Sequence, residues 1–341
     1  LLAPKYIAEI SGNHLGKLDN AKLLIQVAKN SGADHVKLQT YTASTITLNI
    51  STPEFRIRSS HPLWGGRTLY SLYEEAHTPW EWHKELFDLA HTLGIGIFSS
   101  PFDFSAVDFL EDLKTPLYKI ASLETGDIPL IRYIAQTGKP IIASTGASTL
   151  EEIDLMVETI LKFNSNELTL LLCTSSYPAK PQDAHLNRLR LLQERYGVSV
   201  GLSDHTLGNT TAVAAIALGA TVIEKHLCLD RALGGPDADF SSTPDEFKSL
   251  VQSCNEASDS LGHSDWSSLD VEDESRRLRR SLYVSRDVDA GEIVSKENIK
   301  SVRPSFGLPP KFWDEVEGRR FVHSLSAGTP LKIEHTQETD D

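Results

Sequence analysis

Cysteine is scarce in this chain: Cys173, Cys228 and Cys254 are the whole complement. Three thiols cannot build a disulfide framework, which excludes the small stapled secreted folds and fits a reducing compartment. Long apolar runs are also missing, and none approaches the roughly 18 residues of a membrane span. The opening LLAPKYIAEI has no basic segment ahead of a long apolar core, so it does not read as a signal peptide. The expected location is the cytoplasm, away from the membrane. Positive charge is in deficit, with 33 Lys and Arg against 47 Asp and Glu and a net charge of -14. That excludes a nucleic-acid partner, which would favour a basic face. It does not exclude a small anion, provided cations are gathered locally.

What is present is a regular alternation. Short apolar runs occur at YIAEI (6–10), HVKLQ (35–39), GIGIFSS (94–100), LYKIAS (117–122), PIIAST (140–145), LTLLLCT (168–174), VSVGLSD (198–204) and TVIEKHL (221–227). Between most of them lie amphipathic stretches such as LDNAKLLIQVAKNSGA (18–33), with apolar residues three and four apart. Eight strands alternating with helices predict an α/β fold, a (β/α)8 TIM barrel. The competing open doubly wound sheet needs a glycine-rich phosphate turn after the first strand, and ISGNHLG matches that poorly. The connection 41–76, with Pro53, Pro62 and Trp64, is too long for a plain link and reads as a functional loop. After about residue 258 the chain turns polar and acidic. We read residues 1–262 as the barrel, 263–280 as a linker and 281–341 as a small β-rich domain, marginal if it stood alone.

In a parallel barrel the active site lies where the strands end. Here the strand ends deliver Glu9, Lys37, Ser100, Lys119, Ser122, Ser144, Ser175, Asp204, His205, Glu224 and His226. His205 and His226 close adjacent strands, which lie roughly 4.8 Å apart, so both imidazoles can reach one metal ion and leave positions open for water and substrate. Asp204 and Glu224 either orient these imidazoles or serve as ion-pair partners. Lys37 and Lys119 with the serines suit a small, strongly anionic ligand, the alternative being salt bridges to Glu9, Glu124 or Glu224. Glu9 either handles a proton or neutralises a lysine. By strand alternation Lys225 points to the helix side. Trp64, Tyr70, Tyr73, Trp80 and Trp82 suit packing more than a sugar face. His77 and His83 read as surface or loop histidines.

The motifs IAEISGNHLG (7–16), SGADHVKLQT (31–40), FSSPFD (98–103), GKPIIASTG (138–146), CTSSYPA (173–179), GLSDHTLG (201–208) and ALGATVIEKHLCLDR (217–231), in this order, resemble the sialic acid synthase family. The final segment SLYVSRDVDAGEIVSKENIKSVRP (281–304) is similar to that family's antifreeze-like (SAF) domain. RTLYSLYEEAHTPWEWH (67–83) and KSVRPSFGLPPKF (300–312) resemble its pseudaminic acid branch. Ser175 stands where N-acetylneuraminate synthases typically carry Asn. The resemblance implies condensation of phosphoenolpyruvate with an amino-sugar aldehyde, aided by a divalent metal (Mn2+, Mg2+ or Co2+). It implies phosphoenolpyruvate binding by Lys37, Ser100, Lys119, Ser122, Ser144 and Ser203, metal ligation by His205 and His226, and catalysis by Glu9. Tyr177, Asp237 and Arg303 match sugar-side positions. In that family the small domain crosses a homodimer to cover the partner's barrel mouth, which assigns Arg303 to the partner's site. Legionaminic acid or N-acetylneuraminate synthesis stands as the alternative. A barrel that only binds glycans and a Schiff-base aldolase are more distant ones.

Overall fold

The computed structural model describes residues 3–61, 63–164 and 167–339, so Pro62 of the long loop lies outside it. Each of the eight apolar runs is a strand: β1 Lys5–Glu9, β2 His35–Thr40, β3 Gly96–Pro101, β4 Tyr118–Ile120, β5 Ile141–Ser144, β6 Leu168–Cys173, β7 Ser199–Asp204 and β8 Val222–His226. They pair in parallel in sequence order, and β8 returns to β1 to close the barrel. The runs are short and apolar because such strands are buried on both faces.

The helices between them bury one stripe each. Leu18–Asn30 turns Ala21, Leu24, Ile25 and Ala28 inward, the spacing of a single helical face. Leu150–Phe163 starts at a capping box formed by Thr149 and Glu152. Trp80–Leu93 stops at Gly94, whose φ of 65° is the left-handed turn that glycine adopts without strain.

Alternation along each strand sorts the barrel into two cores. Outward residues such as Val36, Leu38, Leu170, Leu202 and Ile223 join the helices. Inward residues Ile7, Phe98, Leu171 and Val222 form a separate apolar floor. Two residues further along the same strands, the inward positions become Glu9, Ser100, Cys173 and Glu224. The floor thus shuts water out beneath a layer of ionisable and hydroxyl groups.

The chain divides into two compact units, one ending at Gly262 and one starting at His263. The second unit contains two antiparallel pairs, β9 Ser281–Val284 with β10 Ile299–Val302, and β11 Arg320–Phe321 with β12 Thr336–Gln337. Its own core gathers Leu282, Val284, Val294, Ile299, Phe321 and Leu331. The polar stretch 263–280 holds two short helical turns, Asp270–Glu272 and Asp273–Arg277. Among the described residues, no helix is long and apolar enough to cross a membrane.

Candidate active site

Register brings the chemistry to one level. Glu9 is the rung partner of Lys37 on β2 and of His226 on β8, and Ser203 is the partner of Glu224. The Lys37 ammonium lies 2.5 Å from Glu9 Oε2 and 3.3 Å from Glu224 Oε2. Glu224 also accepts from Ser203 Oγ at 2.9 Å and faces Lys119 Nζ at 3.8 Å. Burial alone would raise Glu224, but Lys119 and Lys37 outweigh it and hold the carboxylate at about 2. Burial raises Glu9 despite Lys37 beside it. Burial lowers Lys119, which among the described residues has no carboxylate at hydrogen-bond distance and donates to the Ile120 carbonyl instead.

Around this charge cluster the hydroxyls of Ser100, Ser144 and Ser175 are buried without a hydrogen-bond partner among the described residues. Orphaned buried donors are costly and mark a place where a ligand completes the bonding. Ser122 falls in the turn after β4 rather than in the strand, and its Oγ accepts from the Gly146 amide at 3.1 Å. Gly146 is needed there, since a Cβ would lie 2.4 Å from Ser175 Oγ and 2.7 Å from Ser122 Oγ. Lys37, Lys119, Ser144, Ser203 and Glu224 line a cavity of about 160 Å³.

The two histidines stand at its edge. His205, the first residue after β7, directs Nδ1 to the Thr174 carbonyl at 3.1 Å, which leaves Nε2 open. Among the described residues, His226 Nδ1 is buried without a hydrogen-bond partner and lies 4.0 Å from Asp237 Oδ2. Burial, with His205 nearby, holds His226 well below the usual imidazole range and therefore neutral. His205 differs: burial would lower its imidazole, but Cys173 and the Thr174 carbonyl outweigh that and raise it. The ring centres are 5.4 Å apart. Among the described residues, no cluster of three or more His, Cys, Asp or Glu could hold a metal. The donor set is two imidazole nitrogens, which once deprotonated fit a divalent ion whose remaining positions belong to water and substrate.

Beyond the histidines a second cavity of about 190 Å³ opens, sharing Gln39, Tyr177 and His226 with the first. Tyr41, Trp64, Leu72 and Tyr73 wall it, with Ser11, Gln39 and Asp237 as polar points. Trp64 is pinned by its indole N–H to the Pro236 carbonyl at 2.9 Å. The aromatic stretch therefore divides. Trp64 and Tyr73 face the cavity, while Trp80 stacks on Phe109 and Trp82 packs against His14.

The structure decides two open alternatives in favour of ion pairs and corrects one expectation. Glu224 does not orient an imidazole; it neutralises the two lysines. Asp204 faces the helix side, where its Oδ2 accepts from Lys225 at 2.7 Å. Alternation explains both, since Glu224 follows inward Val222 and Asp204 follows outward Leu202. His83 is fully buried, 2.8 Å from the Thr40 hydroxyl, and is not a surface histidine.

The sequence offers Glu124 only as a lysine partner. It lines the inner cavity with Oε2 buried and unpartnered, and burial pushes its carboxyl up to about 7. Cys173 Sγ lies 3.9 Å from His205 Nδ1, a contact with no signal in the sequence. Arg303 lies just past β10 in the second unit and is exposed.

A model of the NeuB family matches residues 24–265, most of the barrel. The chain belongs to the NeuB family. A model of the SAF domain matches residues 279–335. Among curated relatives, a pseudaminic acid synthase of Helicobacter pylori is 44% identical over 340 residues, covering 99% of both chains. An N,N'-diacetyllegionaminic acid synthase of Legionella pneumophila is 38% identical, covering 97% of this NeuB chain and 94% of its own. Among solved structures, an N-acetylneuraminic acid synthetase of Leptospira borgpetersenii in complex with citrate aligns with a TM-score of 0.72 at 28% identity, covering 80% of this chain and 90% of that one.

Proposed function

We propose that this NeuB-family chain is a pseudaminic acid synthase, condensing phosphoenolpyruvate with 2,4-diacetamido-2,4,6-trideoxy-L-altrose and releasing phosphate. One observation carries the reading. An inner chamber lined by two buried lysines, the unpartnered Ser144 hydroxyl and both histidines shares Gln39, Tyr177 and His226 with an aromatic outer chamber. The first suits a phosphate and a carboxylate, and the second an acylated sugar. The extended identity to the Helicobacter pylori enzyme supports the choice of sugar.

Lys37, Lys119, Ser100, Ser122, Ser144 and Ser203 hold phosphoenolpyruvate and offset its charge. Ser175, Tyr177 and Asp237 border the sugar. His205 and His226 would hold a divalent cation (Mn2+, Mg2+ or Co2+), which when bound polarises the aldehyde oxygen. The enol carbon attacks the aldehyde carbon, and the adjacent carbon becomes cationic. Water adds there, Glu9 positions it or manages its proton, and the former aldehyde oxygen gains a proton to become a hydroxyl. The tetrahedral intermediate then expels phosphate by breaking its C–O bond. The working assembly is a homodimer in which Arg303 serves the partner's barrel, and the free thiols suit the cytoplasm.

The deciding experiment is phosphate release in the presence of manganese from three sugars in parallel: the altrose compound, its D-mannose counterpart and N-acetylmannosamine. Preference for the altrose compound is expected. Preference for the D-mannose compound would move the chain to legionaminic acid synthesis. Oxygen-labelled water should enter the sugar acid product, and label in phosphate would overturn the route.

A further inference from the structure

The last rung between β7 and β8 joins Asp204 to Lys225. His205 lies one residue beyond it. The His205 carbonyl accepts from the Ala179 amide, and His226 is the rung partner of Glu9 on β1. At this level a side chain spans the two strands. Lys225 Nζ donates to Asp204 Oδ2 at 2.7 Å and to the Thr206 carbonyl at 2.5 Å. The residue before His226 thus grips the residues on both sides of His205. Asp204 Oδ1 closes the clamp by accepting from the Thr206 amide at 2.9 Å and its hydroxyl at 2.7 Å. Asp204, Thr206 and Lys225 are each 2% exposed.

A buried ion pair is a poor stabiliser, because desolvation cancels most of the attraction. Its distinctive effect is geometric. We propose that Lys225 is a positioning residue, which with Asp204 and Thr206 sets the separation of His205 and His226 so that both imidazoles meet one divalent cation. The inference rests on the metal role given to these histidines above. Metal–nitrogen bonds leave little tolerance in ligand position, and a loose supporting shell loses a ligand.

The test uses the full-length protein, stripped of metal, as wild type, Lys225→Arg, and the charge-neutral double variant Asp204→Asn with Lys225→Met. Mn2+ binding is titrated by paramagnetic resonance, and phosphoenolpyruvate binding to the metal-free protein by calorimetry. The expected result is a loss of Mn2+ affinity of about 10–100-fold in the double variant, a smaller loss in Lys225→Arg, and phosphoenolpyruvate affinity unchanged within about twofold. Wild-type Mn2+ affinity in both variants would overturn the positioning role. Parallel loss of both ligands, or failure of both variants to fold, would assign the clamp to barrel stability and also overturn it. A wild type that binds no Mn2+ would instead remove the metal reading on which the inference stands.

Discussion

Lys37 Nζ lies 2.5 Å from Glu9 Oε2, on the same rung of adjacent strands in the barrel wall, and both side chains are buried. An anion arriving at Lys37 competes with a carboxylate already there. That relationship bears on whether Glu9 performs chemistry or only balances charge.

Glu9→Gln separates the two. A catalytic Glu9 predicts that kcat falls by about 10²–10⁴-fold, while the KM for phosphoenolpyruvate stays level or drops because Lys37 loses a competitor. Steady-state kinetics measure both. Retained kcat with an altered KM would reduce Glu9 to a counter-ion.

Glu124 predicts a pH dependence. Burial raises its carboxyl to about 7 from an unfolded value of 4.5. Between these values the folded protein keeps a proton that the unfolded chain has lost, so stability falls as pH rises through this window. The full effect is on the order of 3 kcal/mol. Glu124→Gln should flatten that part of the curve in urea titrations at pH 5 and pH 8. An unchanged slope would show that the carboxyl is not perturbed.

His226→Ala should abolish Mn2+ binding and activity while the metal-free protein still binds phosphoenolpyruvate, because the lysines and serines stand on other strands. Calorimetry for each ligand checks this. Activity that survives in His226→Ala would refute the ligand role.

Arg303 tests the assembly. Arg303→Ala and His226→Ala should each be inactive alone. If Arg303 serves the partner's barrel, refolding the two together should restore activity, since one mixed site then carries both intact residues. No recovery in a mixture shown to contain mixed dimers would place Arg303 outside the partner's site.

Much of this was legible before the structure. The strand runs read correctly because a strand buried on both faces leaves a short apolar signature, and charged groups at the ends of such runs stand out. Whether Glu224 orients an imidazole or pairs with the lysines is open in the sequence, because only its distances to Lys37 and Lys119 decide it. His83 was misjudged because a polar residue on an amphipathic helix looks solvated until Thr40 is placed beside it. Glu124 and Cys173 carried no local pattern at all.

The sequence by itself determined the eightfold alternation, the level at which polar groups gather and the family to which the chain belongs. These follow from local periodicity and residue order, which hydrophobic burial reads directly. Only the tertiary structure decided the partners: Lys37 with Glu9, Glu224 with two lysines, Lys225 across His205, and Glu124 unpartnered at the cavity wall. Partnership depends on strand register and on the distance of each charge from water, and closure of the barrel sets both.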